Sequence, residues 1–148
     1  MGVKRGVISS LVVLMTVGSL TACESFARGP AAVSRDGTDL LVAICVDLTV
    51  NRIYGEAATP SSREVDFAEL EGELTVKSGT VLNLSRPIDG LDGKLEPLDL
   101  TSVNELLLIF KQGPDDGFAA QYGGDGPIDF PTDGWLQSDG SRTDEPCG

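Results

Sequence analysis

The chain has 148 residues, with 11 basic and 23 acidic side chains, no histidine, and a formal net charge of −12 at pH 7. A surface this acidic repels phosphate backbones and anionic head groups, which argues against nucleic acid as a partner. Without histidine, Ser-His-Asp and Cys-His catalysis and histidine metal sites are excluded.

Residues 1–6 are short and positive through Lys4 and Arg5. Val7 to Leu20 is apolar and uncharged, and Leu20-Thr21-Ala22-Cys23 follows it. A positive start, an apolar core and small residues at a cut site make an export signal. The last four residues resemble the lipobox of bacterial prolipoproteins: an aliphatic residue, two small ones, then cysteine. The resemblance implies diacylglyceryl transfer to the Cys23 sulfur and cleavage between Ala22 and Cys23. Acyl chains on Cys23 would hold the protein on the extracytoplasmic face of the cell membrane, since two or three chains hold far better than one. A plain secretory signal cut after Ala22 is one alternative. A retained transmembrane helix is another, but that needs about 20 apolar residues, and Ser9, Ser10, Thr16 and Gly18 interrupt the run; a buried core helix is the third.

Cleavage would remove Lys4 and Arg5, leaving nine basic against 23 acidic residues, a net charge of −14. The remaining length suits one domain. Glu24 to Gly37, with Gly29-Pro30 and Ser34-Arg35-Asp36-Gly37, shows no hydrophobic period. It reads as a flexible tether reaching roughly 20 Å.

Asp39 to Tyr54 gives the strongest strand signal. Even positions carry Leu40, Val42, Ile44, Val46, Leu48 and Val50, while odd positions drift from Leu41 to Asp47 and Asn51. This is period 2, with one buried face; its length predicts a bend near Val46 to Leu48. Ala57 to Arg63 reads as a loop. Val65 to Leu70 reads as a strand. Leu74 to Val76 and Thr80 to Leu84 read as strands flanking a hairpin-type turn at Lys77-Ser78-Gly79. Leu95 to Leu98 is a weaker strand, interrupted by Pro97. Glu105 to Lys111 reads as a strand buried on both faces, and Phe118 to Tyr122 as another. Helix is the alternative for Asp66 to Glu73 and for Val103 to Lys111. Residues 113–148 read as an irregular C-terminal wrap held by Phe130, Trp135, Leu136 and Cys147.

Asp-Gly occurs seven times, beginning at Asp36, Asp89, Asp92, Asp116, Asp125, Asp133 and Asp139. Glycine accepts positive φ and aspartate bonds its own turn, so each pair reads as a turn. Short strands between such turns predict an all-β fold, an antiparallel, immunoglobulin-like β-sandwich. The expected organisation is a signal peptide over 1–22, a lipidated tether over 23–38 and the sandwich over 39–148.

Cys45 and Cys147 remain beyond the anchor. In an exported protein such a pair is readily oxidised, and a bond between them would tie the tail to the first core strand. One buried and one tail thiol, both free, is one alternative; a metal pair is the other, disfavoured because no histidine is there to complete a site.

No Gly-rich run precedes Gly-Lys-Ser or Gly-Lys-Thr, so no phosphate loop is present. Paired carboxylates could hydrolyse a sugar, but with 23 acids some pair will be suitably spaced by chance. Calcium is the more serious metal option. Asp115, Asp116, Asp125, Asp129, Asp133, Asp139, Asp144 and Glu145 crowd the last third, and hard cations want several oxygens on a flexible loop. No stretch has the EF-hand spacing, so turn aspartates are the preferred reading and no cofactor is expected. Trp135 could anchor a partner or stack on a sugar; packing against the core near Cys147 is preferred. The expected function is a membrane-anchored, non-enzymatic lipoprotein module with a structural, accessory or partner-binding role, able to meet a protein partner at the cell surface. The alternatives are a small-molecule or calcium binder, or a carboxylate hydrolase.

Overall fold

The computed structural model describes residues 30–147. The expected signal peptide, Cys23 and the first part of the expected tether lie outside the described residues. Within them the chain forms ten strands and no helix.

β1 (Ala31–Asp36) and β2 (Asp39–Ile44) form a hairpin closed by Gly37-Thr38, with Gly37 at φ 60°. That positive φ is cheap for glycine and costly for other residues, so the Asp36-Gly37 pair specifies the turn. β1 corrects the tether reading. Ala31, Ala32 and Val33 are fully buried, so the folded domain already includes residue 31, not only 39 onward. The run is short and built of small residues, so it gives little hydrophobic contrast.

The long strand signal bends where expected. β2 stops at Ile44 and β3 (Leu48–Thr59) starts in the other sheet, with Cys45-Val46-Asp47 as the corner. β3 pairs with β4 (Ser62–Val76) through three register shifts, which let two long strands coil over the core. Strand therefore replaces most of the loop expected over Ala57 to Arg63. The Asp66 to Glu73 segment is strand rather than helix. Lys77-Ser78-Gly79 is a turn, but it links β4 to β5 (Thr80–Asn83) in the opposite sheet. The expected hairpin is thus a second corner. The two corners meet, since the Ser78 amide donates to Asp47 Oδ1 at 2.9 Å and the Gly79 amide to the Ile44 carbonyl at 2.7 Å.

β6 (Leu91–Leu95) lies ahead of the weak strand expected at Leu95 to Leu98 and pairs with β4. β7 (Glu105–Gln112) and β8 (Asp116–Gly123) form a hairpin through Gly113-Pro114-Asp115. Leu106, Leu108 and Phe110 are fully buried, while Leu107 and Ile109 are half-buried. The expectation of full burial on both faces of this strand is therefore corrected to one sealed face. β9 (Trp135–Gln137) and β10 (Arg142–Thr143) give the C-terminal wrap a hairpin that pairs with β1.

The sheets run β10-β9-β1-β2-β5 and β6-β4-β3-β7-β8, with every pairing antiparallel. The fold is a β-sandwich of five strands on five. One core holds Val33, Leu40, Val42 and Ile44 from the first sheet and Val50, Ile53, Phe67 and Phe110 from the second. Each such side chain gives about 1.5–3 kcal/mol when fully buried. Two Asp-Gly pairs, at Asp92 and Asp116, lie inside β6 and β8 instead of in turns. Gly93 still needs its lack of a side chain: a Cβ there would stand 2.1 Å from the Glu69 carbonyl oxygen of the paired strand.

Cys45 and Cys147 form a disulfide with Cα atoms 5.2 Å apart. Pro30, Cys45, Cys147 and the two corners therefore share one end of the sandwich. The Cys45 amide completes that grouping by donating to the Pro30 carbonyl at 2.7 Å. The Asp36-Gly37 hairpin tip marks the other end of β1.

Candidate functional site

β1 alternates, and Ala31 and Val33 point into the core. Two positions after Val33, Arg35 continues that face at the rim, opposite Leu40. Its backbone amide donates to the Pro131 carbonyl at 2.9 Å, and Ser34 Oγ donates to the same oxygen at 3.0 Å. The segment before Pro131 is thereby drawn along β1. The Ile128 amide donates to the Val103 carbonyl at 2.7 Å, which fixes the other side of that segment.

The 127–129 segment becomes a wall with a cleft on each side. The first cleft, about 250 Å³, is lined by Arg35, Leu100, Thr101, Pro127, Ile128, Asp129 and Phe130. The second, about 270 Å³, runs from Gly123 and Gly124 past Ile128 to Leu136, Gln137 and Arg142.

The two arginines differ in one respect. Arg142 donates to Asp129 Oδ2 at 2.6 Å and to the Asp129 carbonyl at 2.8 Å, so the second cleft holds a neutralised pair. Arg35 makes no ion pair among the described residues, and its Nε is buried with no hydrogen-bond partner. All other cations among the described residues are exposed. A buried donor left unmet costs about 1–3 kcal/mol, and more when charged. Asp129, part of the cleft lining, and Asp99, next to Leu100, are already engaged. Asp99 Oδ1 accepts from the Thr101 hydroxyl at 2.7 Å and the Thr101 amide at 3.0 Å, and these bonds hold its carboxyl below the usual range. Asp129 is held by Arg142.

The acids singled out for calcium are scattered. Asp115 and Asp116 sit at the β7–β8 hairpin and Asp125 on the second cleft. Asp139 caps its own turn, its Oδ1 accepting from the Ser141 amide at 2.8 Å. Among the described residues no three acidic or cysteine side chains gather into a group able to hold a metal ion. Trp135 is half-buried opposite Thr143, and Leu136, next to it, is the β9 side chain packed on the core. Gln137, on the same side of β9 as Trp135, reaches the Pro146 carbonyl at 2.9 Å beside Cys147.

Sequence reasoning placed Arg35 in the tether and gave it no role. The signal was the alternation Ala31, Val33, Arg35 running into Asp36-Gly37 and then a strong strand, which is the pattern of a hairpin. Comparison with protein-family models, with curated proteins and with solved structures finds no match to the chain.

Proposed function

We propose that the protein is an exported lipoprotein, anchored through Cys23 on the extracytoplasmic face of a membrane, whose sandwich is a non-enzymatic accessory or partner-binding module. The observation that carries the reading is Leu20-Thr21-Ala22-Cys23 behind a positive start and an apolar run. The position of Pro30 supports it. Cys23 and Pro30, the first described residue, lie seven residues apart in the sequence. At about 3.3–3.6 Å per residue, this spacer keeps the Pro30 end of the sandwich within roughly 25 Å of the lipid.

The engagement of the acids supports the non-enzymatic half. Asp39, Asp47, Asp99 and Asp139 accept bonds from neighbouring amides or side chains at turns and corners. Carboxylates spent in this way position backbone, whereas acid–base chemistry needs them free to exchange protons. Membrane fractionation tests the anchor. The full-length protein is expected to resist a high-salt wash, to leave membranes in non-ionic detergent, and as Cys23→Ala to take up no labelled fatty acid and to keep residues 1–22. Wild-type protein released by salt alone overturns the reading.

A further inference from the structure

We infer that the cleft beside Arg35 binds the carboxylate of a small apolar acid or of an apolar chain terminus. The inference goes beyond the anchored-module reading and stands without the lipid.

Three observations meet at this cleft. The first is the unpaired guanidinium: Arg35 is the only cation among the described residues that is not exposed, and its Nε has no partner. In a chain with more than twice as many acids as bases, an unneutralised arginine is the unusual case. Arg35 is half-buried, but its Nε is fully buried, and a buried donor normally has a hydrogen-bond partner. The second is the lining. Leu100, Ile128 and Phe130 offer an apolar wall, with Leu100 and Phe130 buried in the core, and the one acid in the lining, Asp129, is paired with Arg142. A planar fork of donors over an apolar wall suits a carboxylate carried on an apolar body. The third is size. About 250 Å³ lies below the usual range for drug-sized ligands, so the occupant is small, or is one residue of a longer chain.

Asp99 and Asp129 do not compete for the guanidinium, because Thr101 and Arg142 engage them. The second cleft lacks this property, since its arginine already has Asp129.

The test uses the full-length protein in non-ionic detergent, followed by the Arg35 Nε–H resonance and by thermal melting. The probes are benzoate and hexanoate, their neutral counterparts benzamide and hexanamide, and inorganic phosphate. A second arm uses an acetylated tripeptide ending in phenylalanine, as free acid and as amide. Saturable shifts are expected with the carboxylates and not with the amides. Arg35→Gln should weaken benzoate binding at least about tenfold, or about 1.4 kcal/mol. Tighter binding of the free acids than of the peptide acid assigns the site to a small molecule; the reverse assigns it to a partner's C-terminus. Both outcomes support the inference. No saturable shift with any carboxylate overturns it, as do equal binding of the amides, unchanged affinity in Arg35→Gln, or phosphate binding as tightly as benzoate. Should Arg35→Gln fail to fold, Arg35→Lys keeps the charge without the planar fork. It is expected to melt cooperatively and bind benzoate more weakly, and equal binding overturns the inference.

Discussion

The Tyr122 hydroxyl donates a 2.8 Å hydrogen bond to the Ala31 carbonyl, tying β8 of one sheet to the first residue of β1 in the other. Tyr122 is 3% exposed, and burial pushes its phenol well above the ordinary 10.0. Tyr122→Phe keeps the ring and strands the carbonyl, at an expected cost of about 1–2 kcal/mol. The pH sign follows from the raised value. The tyrosine's contribution is whole below pH 10 and fades above it, because only the unfolded chain ionises there. Thermal melts should show wild type losing its advantage over Tyr122→Phe as pH rises past 10. A constant difference across that range would contradict this role.

Breaking the Cys45–Cys147 bond should destabilise the domain without dissolving the sandwich. The bond closes a loop of 102 residues, for which chain entropy allows roughly 4–5 kcal/mol, and often less in practice. Cys147→Ser should lower the melting temperature by several degrees and leave a β-type circular dichroism spectrum. An unchanged melting temperature would mean that Gln137, through its bond to the Pro146 carbonyl, holds the tail unaided.

Acid should weaken the fold in part through three particular carboxylates. Asp39 is held below its ordinary 3.8 first by the Asn83 side chain and then by Arg86. Asp47 is lowered first by the Ser78 amide and then by Lys77, and Asp99 by Thr101. Their depressed values favour the charged form in the fold. The stability they lend is therefore complete above about pH 4 and lost as pH falls through the lowered values. Urea melts should show a flat response on their account from pH 7 to 5 and a decline below 4. Asp39→Asn should make that decline shallower. An equally steep decline in the variant would place the acid sensitivity elsewhere.

An unpaired Arg35 should cost the protein stability. Arg35→Met keeps an unbranched stem and removes the unmet charge, a kind of exchange that is often neutral or stabilising. The expected gain is about 1 kcal/mol, seen as roughly 4 °C in the melting temperature. A loss of stability in Arg35→Met would mean that the guanidinium serves the fold and not a ligand.

How legible the molecule was depended on contrast. The Leu40 to Val50 alternation and the Glu105 to Lys111 run announced strands because large apolar residues repeat against polar ones. β1 escaped because Ala31, Ala32 and Ser34 are small, and because what buries them comes from distant segments, including β9 and Pro131. The turn at Lys77-Ser78-Gly79 was legible as a turn. Its role as a corner was not, since turn chemistry is local and the partners of β4 and β5 lie in different sheets. The disulfide followed from the cysteine count together with the export signal expected from the sequence. The Arg35 cleft could not follow, because it exists only where residues near 35, 100 and 128 are brought together.

Mass spectrometry of the N-terminal peptide of protein taken from its native membrane tests the central claim most directly. The expected result is a peptide beginning at Cys23 and carrying diacylglycerol on its sulfur, with residues 1–22 gone. An unmodified Cys23, or a mature protein that retains residues before it, would contradict the account.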